Sequence, residues 1–295
     1  MKKTVFTGAA TAIITPLDEN GVDYENYGRL IDWQIEKGIN AIVAVGTTGE
    51  GSTLTDEEHK AAISFCVDRV AGRVPVIAGT GSNSTDYAIG LTRYACDAGV
   101  DAVLLVTPYY NKATQRGLYE SYNAVADAAT KPCILYNVPS RTSLNLLPET
   151  CARLAEHENI VAIKEACENI AQIALLALLC GDKMDIYSGS DNQIVPILSL
   201  GGKGVISTVS NIMPAETVEI CSAFFRGDIE KSRRMQLQLL PLINALFSEV
   251  NPIPVKAACA AMNFCKNYLR LPLTTMEPEH EKKLLSLMRE QGLIA

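Results

Sequence analysis

Lys164 closes a run of four apolar residues, Ile160, Val161, Ala162 and Ile163. A lysine at the end of a buried strand is costly unless it is paired or neutral. Desolvation lowers its pKa and leaves a free amine able to attack a carbonyl carbon. The residues alone leave a second reading open, a lysine just past the strand that faces solvent or pairs with Glu165. Other lysines compete poorly, Lys203 lying in a glycine-flanked turn and Lys256 far along the chain.

Further groups could serve such an amine. Tyr136 ends another apolar run, and its phenol can both donate and accept a proton. A core tyrosine at a rim is the alternative for it. Gly46-Thr47-Thr48-Gly49 offers two hydroxyls and several backbone N–H groups to an anion, although such turns are also ordinary connections. Glu50 beside it reads as a loop or capping carboxylate. Arg141 follows Pro139-Ser140 and could grip a carboxylate in bidentate fashion, or sit on the surface.

Other chemistries find no residues. His59, His157 and His280 are the only histidines and lie far apart, so no metal site is expected. No G-x-S-x-G elbow, Walker loop or dinucleotide fingerprint occurs. Carbonyl chemistry by a lysine, without a cofactor, is what remains.

The elements that must position these residues follow a repeat. Short apolar runs rich in β-branched residues occupy 10–15, 41–45, 74–78, 102–107, 133–137, 160–164, 185–188 and 204–207. Helical segments separate them at 24–37, 56–70, 86–98, 115–129, 148–156, 169–180, 191–200 and 214–225. The runs lack polar alternation, as strands buried on both faces do. Eight such units predict an α/β fold, a closed (β/α)8 TIM barrel, with function at the carboxyl ends of its strands. Past residue 226 only helical patterns remain, at 229–249, 254–263 and 279–290. The expected organisation is a catalytic barrel domain over 1–226 and a C-terminal helical domain over 227–295.

Composition narrows the setting. The chain has 295 residues, 48% hydrophobic and 20% charged, with a net charge of −7 and no basic stripe, so nucleic acid is not expected as a partner. Residues 5–10 loosely mimic a signal peptide but carry Thr and Gly and run on into 12–16, so they read as the start of the first strand. No apolar stretch approaches a membrane span. The nine cysteines show no C-x-x-C spacing and read as reduced core thiols in a cytoplasmic protein.

Taken in order, Gly46-Thr47-Thr48-Gly49-Glu50, Tyr109-Tyr110, Tyr136-Asn137-Val138-Pro139 and Lys164-Glu165 resemble the dihydrodipicolinate synthase / N-acetylneuraminate lyase family. The likeness covers essentially the whole chain, including residues 251–256. Ser140-Arg141-Thr142 resembles the dihydrodipicolinate synthase branch, since neuraminate lyases usually lack that arginine. The resemblance implies an imine between Lys164 and pyruvate, then an enamine that attacks L-aspartate 4-semialdehyde. The product implied is 4-hydroxy-tetrahydrodipicolinate, the first committed step towards diaminopimelate and lysine.

The resemblance further implies a proton relay of Tyr136, Thr47 and Tyr110, the last reaching in from a neighbouring subunit. It implies that Thr47 and Thr48 hold the pyruvate carboxylate and Arg141 that of the semialdehyde. Gly189 and the carbonyl of Ile206 would line the lysine's surroundings. A homo-oligomer is implied, commonly a tetramer built as a dimer of dimers. His59, Asn83 and Tyr109 match an interface site at which lysine inhibits many members. Tyr87 stands where sensitive members carry a glutamate, so weak or absent inhibition is expected. Two alternatives remain in view, a neuraminate or keto-deoxy-sugar-acid lyase and a non-catalytic keto-acid binder.

Overall fold

The computed structural model describes residues 2–295. Eight parallel strands close on themselves: β1 (Gly8–Ala12), β2 (Ala41–Ala44), β3 (Val76–Gly79), β4 (Ala102–Val106), β5 (Cys133–Asn137), β6 (Ile160–Glu165), β7 (Asp185–Ser188) and β8 (Gly204–Ser207). Strand β1 pairs with both β2 and β8, which completes the barrel. Closure leaves no strand edge, and the helices bury the outer face, so both faces of each strand are apolar.

The core accordingly has two layers. Ala10, Ala41, Val43, Ile77, Ala102, Leu104, Ile134 and Ala162 point inward and fill the barrel with mostly small side chains. Ile42, Ala78, Val103, Leu135 and Ile163, their neighbours along the strands, pack against the helices. The period of two in a strand produces this division. Before β1, the Phe6 ring stacks on Tyr187 at 4.2 Å, and the Tyr187 hydroxyl donates to the Phe6 carbonyl at 2.6 Å.

Several boundaries differ from the apolar runs for identifiable reasons. Strand β1 ends at Ala12 rather than residue 15, because the Ile14 N–H bonds the Asn211 side chain at 3.0 Å instead of a strand. Strand β3 starts at Val76, just after Pro75, which has no N–H to give to a ladder. Strand β6 runs one residue further, through Glu165. The segment expected as one helix over 191–200 is a 3-10 turn, Asp191–Gln193, followed by the short helix Ile194–Ser199. Arg141 lies on a single helical turn, Pro139–Thr142. Thr55 and Glu58 exchange side-chain and backbone bonds at the head of helix Asp56–Val70, a capping box.

Helices Ile229–Leu246, Ile253–Ala261 and Pro278–Glu290 form the C-terminal extension. It is tied to the rest of the chain by polar contacts as well as packing. Ser232 donates to the Ile220 carbonyl at 2.7 Å, and the Gln236 side chain spans the Val195 N–H and the Asn192 carbonyl. Arg270 grips Glu58 through both terminal guanidinium nitrogens. All nine cysteines are unpaired, seven of them buried. Among the described residues no helix is long and apolar enough to cross a membrane.

Candidate active site

Strands β5 and β6 pair in a register that sets Tyr136 beside Lys164 and Asn137 beside Glu165. Successive residues of a strand face opposite ways, so Lys164 enters the barrel mouth while Glu165 turns to the other side. Glu165 is satisfied there by the Asn137 amide at 3.0 and 3.1 Å and by the Cys167 N–H at 2.8 Å. Burial still raises its carboxyl to about 6, against the pull of those hydrogen bonds. An ion pair between Lys164 and Glu165, open from the sequence, is therefore not formed.

Lys164 is only 5% exposed. Its Nζ lies 4.4 Å from the centre of the Tyr136 ring. Burial pulls its pKa down to about 8; the Asp191 carboxylate pushes it back up, and the Arg141 guanidinium lowers it further. The amine therefore has a substantial neutral fraction near neutral pH, which is the form a nucleophile needs. Burial raises the Tyr136 phenol to about 12, so it stands as a neutral proton donor.

Lys164 opens into a cavity of about 730 Å³. Thr48, Tyr136, Arg141, Gly189 and Asp191 line it, and residues 243, 244 and 247–251 of the C-terminal extension form its far wall. Gly189 leaves no room for a side chain: a Cβ would come within 2.8 Å of Ala166 and 3.1 Å of the Lys164 Cγ. Ile206, on β8, is buried in the same inner layer as Tyr136. A second cavity, of about 290 Å³, is lined by Thr47, His59, Tyr87 and Tyr109, and shares Tyr136, Val138 and Arg141 with the first.

The sequence candidates thus divide. Lys164, Tyr136, Thr48, Arg141 and Gly189 meet at one cavity. Thr47 is exposed on the side of the second, with Tyr136 between. Tyr110 lines neither: it is 92% exposed on a backbone with φ of 73°. His59 is buried, its Nε2 2.9 Å from the Gly79 carbonyl, and burial lowers its pKa. Asn83 spends its amide on the Tyr109 carbonyl at 3.2 Å, and the Tyr87 hydroxyl donates to Asp56 at 3.1 Å.

Three residues carry more than their sequence positions suggested. Asp191 is 2% exposed, takes the Thr208 and Val209 N–H groups on Oδ2 at 3.0 and 2.9 Å, and leaves Oδ1 without a partner. Its place after the end of β7 was the available signal. Glu50 and Lys256 are fully buried and form an ion pair, with Lys256 also donating to the Thr15 carbonyl at 2.8 Å. Glu50 is thus an anchor of the extension rather than a cap, and nothing local to either residue marks the other.

A closed parallel barrel with its polar groups gathered at the carboxyl ends of the strands defines a (β/α)8-barrel enzyme. The Dihydrodipicolinate synthetase family model matches residues 5–291, and the chain belongs to that family. It is 53% identical over 294 residues to the 4-hydroxy-tetrahydrodipicolinate synthase of Acetivibrio thermocellus, covering 100% of both chains. It is 56% identical over 292 residues to the enzyme of that name from Lachnoclostridium phytofermentans, covering 98% of this chain and 99% of that one. The dihydrodipicolinate synthase structure from Aquifex aeolicus superposes with a TM-score of 0.96 at 46% identity, covering 98% of this chain and 99% of the other. Both curated relatives carry the synthase name, and the sugar-acid lyase alternative is not favoured.

Proposed function

We propose that this protein is a lyase that condenses pyruvate with L-aspartate 4-semialdehyde to 4-hydroxy-tetrahydrodipicolinate, through an imine on Lys164. The observation that carries the mechanism is a buried amine lowered to about 8, beside a neutral phenol in an open cavity. Lys164 Nζ attacks the ketone carbon of pyruvate and water leaves. Loss of a methyl proton gives the enamine, which bonds to the aldehyde carbon. The amine of the former semialdehyde then attacks the imine carbon and displaces Lys164. Tyr136, Thr47 and a partner's copy of Tyr110 relay the protons. Thr47 and Thr48 hold the pyruvate carboxylate, Arg141 that of the semialdehyde, and Gly189 and Ile206 shape the space around the lysine. No cofactor enters these steps. The activity stands at the head of diaminopimelate and lysine biosynthesis.

The relay requires an assembly. Tyr110 is nearly fully exposed, which supports a role in a neighbour's site. Helix Ile170–Cys180 is apolar almost throughout and leaves Ile170, Leu175, Leu178 and Leu179 exposed, which supports a second contact elsewhere on the surface. Two such surfaces make a homotetramer, a dimer of dimers. The chain divides into a catalytic barrel over 1–226 and a helical domain over 227–295 that walls the cavity. The free thiols suit a cytoplasmic location. The smaller cavity, with His59, Tyr87 and Tyr109 and beside Asn83, is the lysine site. No carboxylate lines it, so it grips a lysine ammonium weakly.

Pyruvate with borohydride, followed by intact mass and peptide mapping, tests the reading. A single adduct on Lys164 is expected. Folded protein that takes up no label would overturn the imine mechanism and return the case to a passive keto-acid binder.

A further inference from the structure

The loop that carries Thr47 and Thr48 is held from the far end of the chain. Its backbone is forced at both ends, with φ of 47° at Val45 and 55° at Glu50. Glu50 is locked by Lys256, Lys256 reaches the Thr15 carbonyl, and the Thr15 hydroxyl donates to the Gly49 carbonyl at 2.7 Å. One further bond touches a threonine hydroxyl itself: Asn251 Nδ2 donates to Thr48 Oγ1 at 2.9 Å. Both side chains are buried, and both line the Lys164 cavity.

That bond has a direction. A threonine hydroxyl has one proton to give and two lone pairs to offer. With a lone pair of Thr48 taken by the Asn251 amide, the hydroxyl proton is left for another acceptor. A carboxylate is acceptor-only. We propose that Asn251 is a positioning residue that sets the polarity of Thr48, so that its hydroxyl donates to the carboxylate of the bound 2-oxo acid. The inference rests on the site reading above. The C-terminal extension thereby takes part in substrate binding without supplying a reacting group.

The test compares Asn251→Ala, Asn251→Asp and Thr48→Val by steady-state kinetics with each substrate varied. Asn251→Ala raises KM for pyruvate about fivefold to tenfold, the loss of one oriented hydrogen bond. KM for the semialdehyde stays as it is. Asn251→Asp, nearly isosteric, raises the pyruvate KM more, because a carboxylate takes the hydroxyl proton and turns the oxygen lone pairs toward the substrate. A packing role alone gives the reverse order, with Asp milder than Ala. In a Thr48→Val background Asn251→Ala adds nothing further, since the effect runs through that hydroxyl.

A pyruvate KM in Asn251→Asp equal to wild type, or additive losses in the double variant, would overturn the proposal. Should Asn251→Ala not fold, the pyruvate KM of Asn251→Asp against wild type decides the proposal, a raised value supporting it and an unchanged one overturning it. Borohydride labelling of wild-type Lys164 separates the two levels. An unlabelled wild type removes the site reading and this inference together, whereas a labelled wild type with an unchanged pyruvate dependence in Asn251→Asp removes the inference alone.

Discussion

Acid titration of the enzyme reads the desolvation of Lys164 directly. An ordinary lysine at 10.5 leaves about one amine in three thousand neutral at pH 7, whereas a lysine lowered to about 8 leaves about one in ten. Burial therefore enlarges the nucleophilic fraction about 300-fold at neutral pH. The sign follows from the charge: the amine is protonated and inert below its pKa and free above it. The expected kcat/KM for pyruvate is level above about pH 8 and falls about tenfold per pH unit below it. The assay is initial rate against pyruvate at fixed semialdehyde across that range, since kcat/KM reports groups of the free enzyme. Asp191→Asn sharpens the test. The Asp191 charge raises the lysine's pKa, so its neutralisation moves the acid limb to lower pH. A limb at the ordinary lysine value, or an upward move in Asp191→Asn, would refute the reasoning.

Burying the Lys164 ammonium costs roughly 3 kcal/mol of stability below pH 8, and the cost fades as pH rises from about 8 towards 10.5. Lys164→Met should therefore melt higher than wild type at pH 7, gain less at pH 10, and take up no pyruvate; a lower melting point at pH 7 would count against it. Mixing inactive Tyr110→Phe with inactive Lys164→Met subunits should restore activity, because some mixed dimers hold one site with both groups intact; no recovery after subunit exchange would mean that Tyr110 does not act across subunits. Leu178 is 80% exposed on the apolar helix, and Leu178→Asp should shift sedimentation from tetramer to dimer, whereas an unchanged tetramer would put the second contact elsewhere. Titration with lysine should leave the rate nearly unchanged at millimolar concentrations, and strong inhibition below that range would show that Tyr87 does not weaken the site.

Comparison of the runs with the strands shows where periodicity is informative. Each of the eight runs overlaps a strand, because burial on both faces makes each strand apolar whatever its neighbours. Their ends were less legible, since a ladder stops where a partner for the N–H is lost. At Ile14 that partner is Asn211, distant in the chain, and no local pattern announces it. The helical turn at Pro139–Thr142 is too short to have a period of its own.

The site divides along the same line. The sequence by itself determined the chemistry available: a lysine and a tyrosine each at the end of an apolar strand, two threonines between glycines, and an arginine after a proline. These are local facts, set by residue type and by position along a strand. Only the tertiary structure decided what acts on them. Strand register put Tyr136 beside Lys164 and turned Glu165 away, which no count along the chain distinguishes from an ion pair. Closure of the barrel brought Asp191 and Arg141 within electrostatic reach of the amine. Packing of the extension joined Asn251 to Thr48 and Lys256 to Glu50 across more than two hundred residues. Desolvation and hydrogen-bond direction depend on what surrounds a group in space, so they become definite only when distant segments meet.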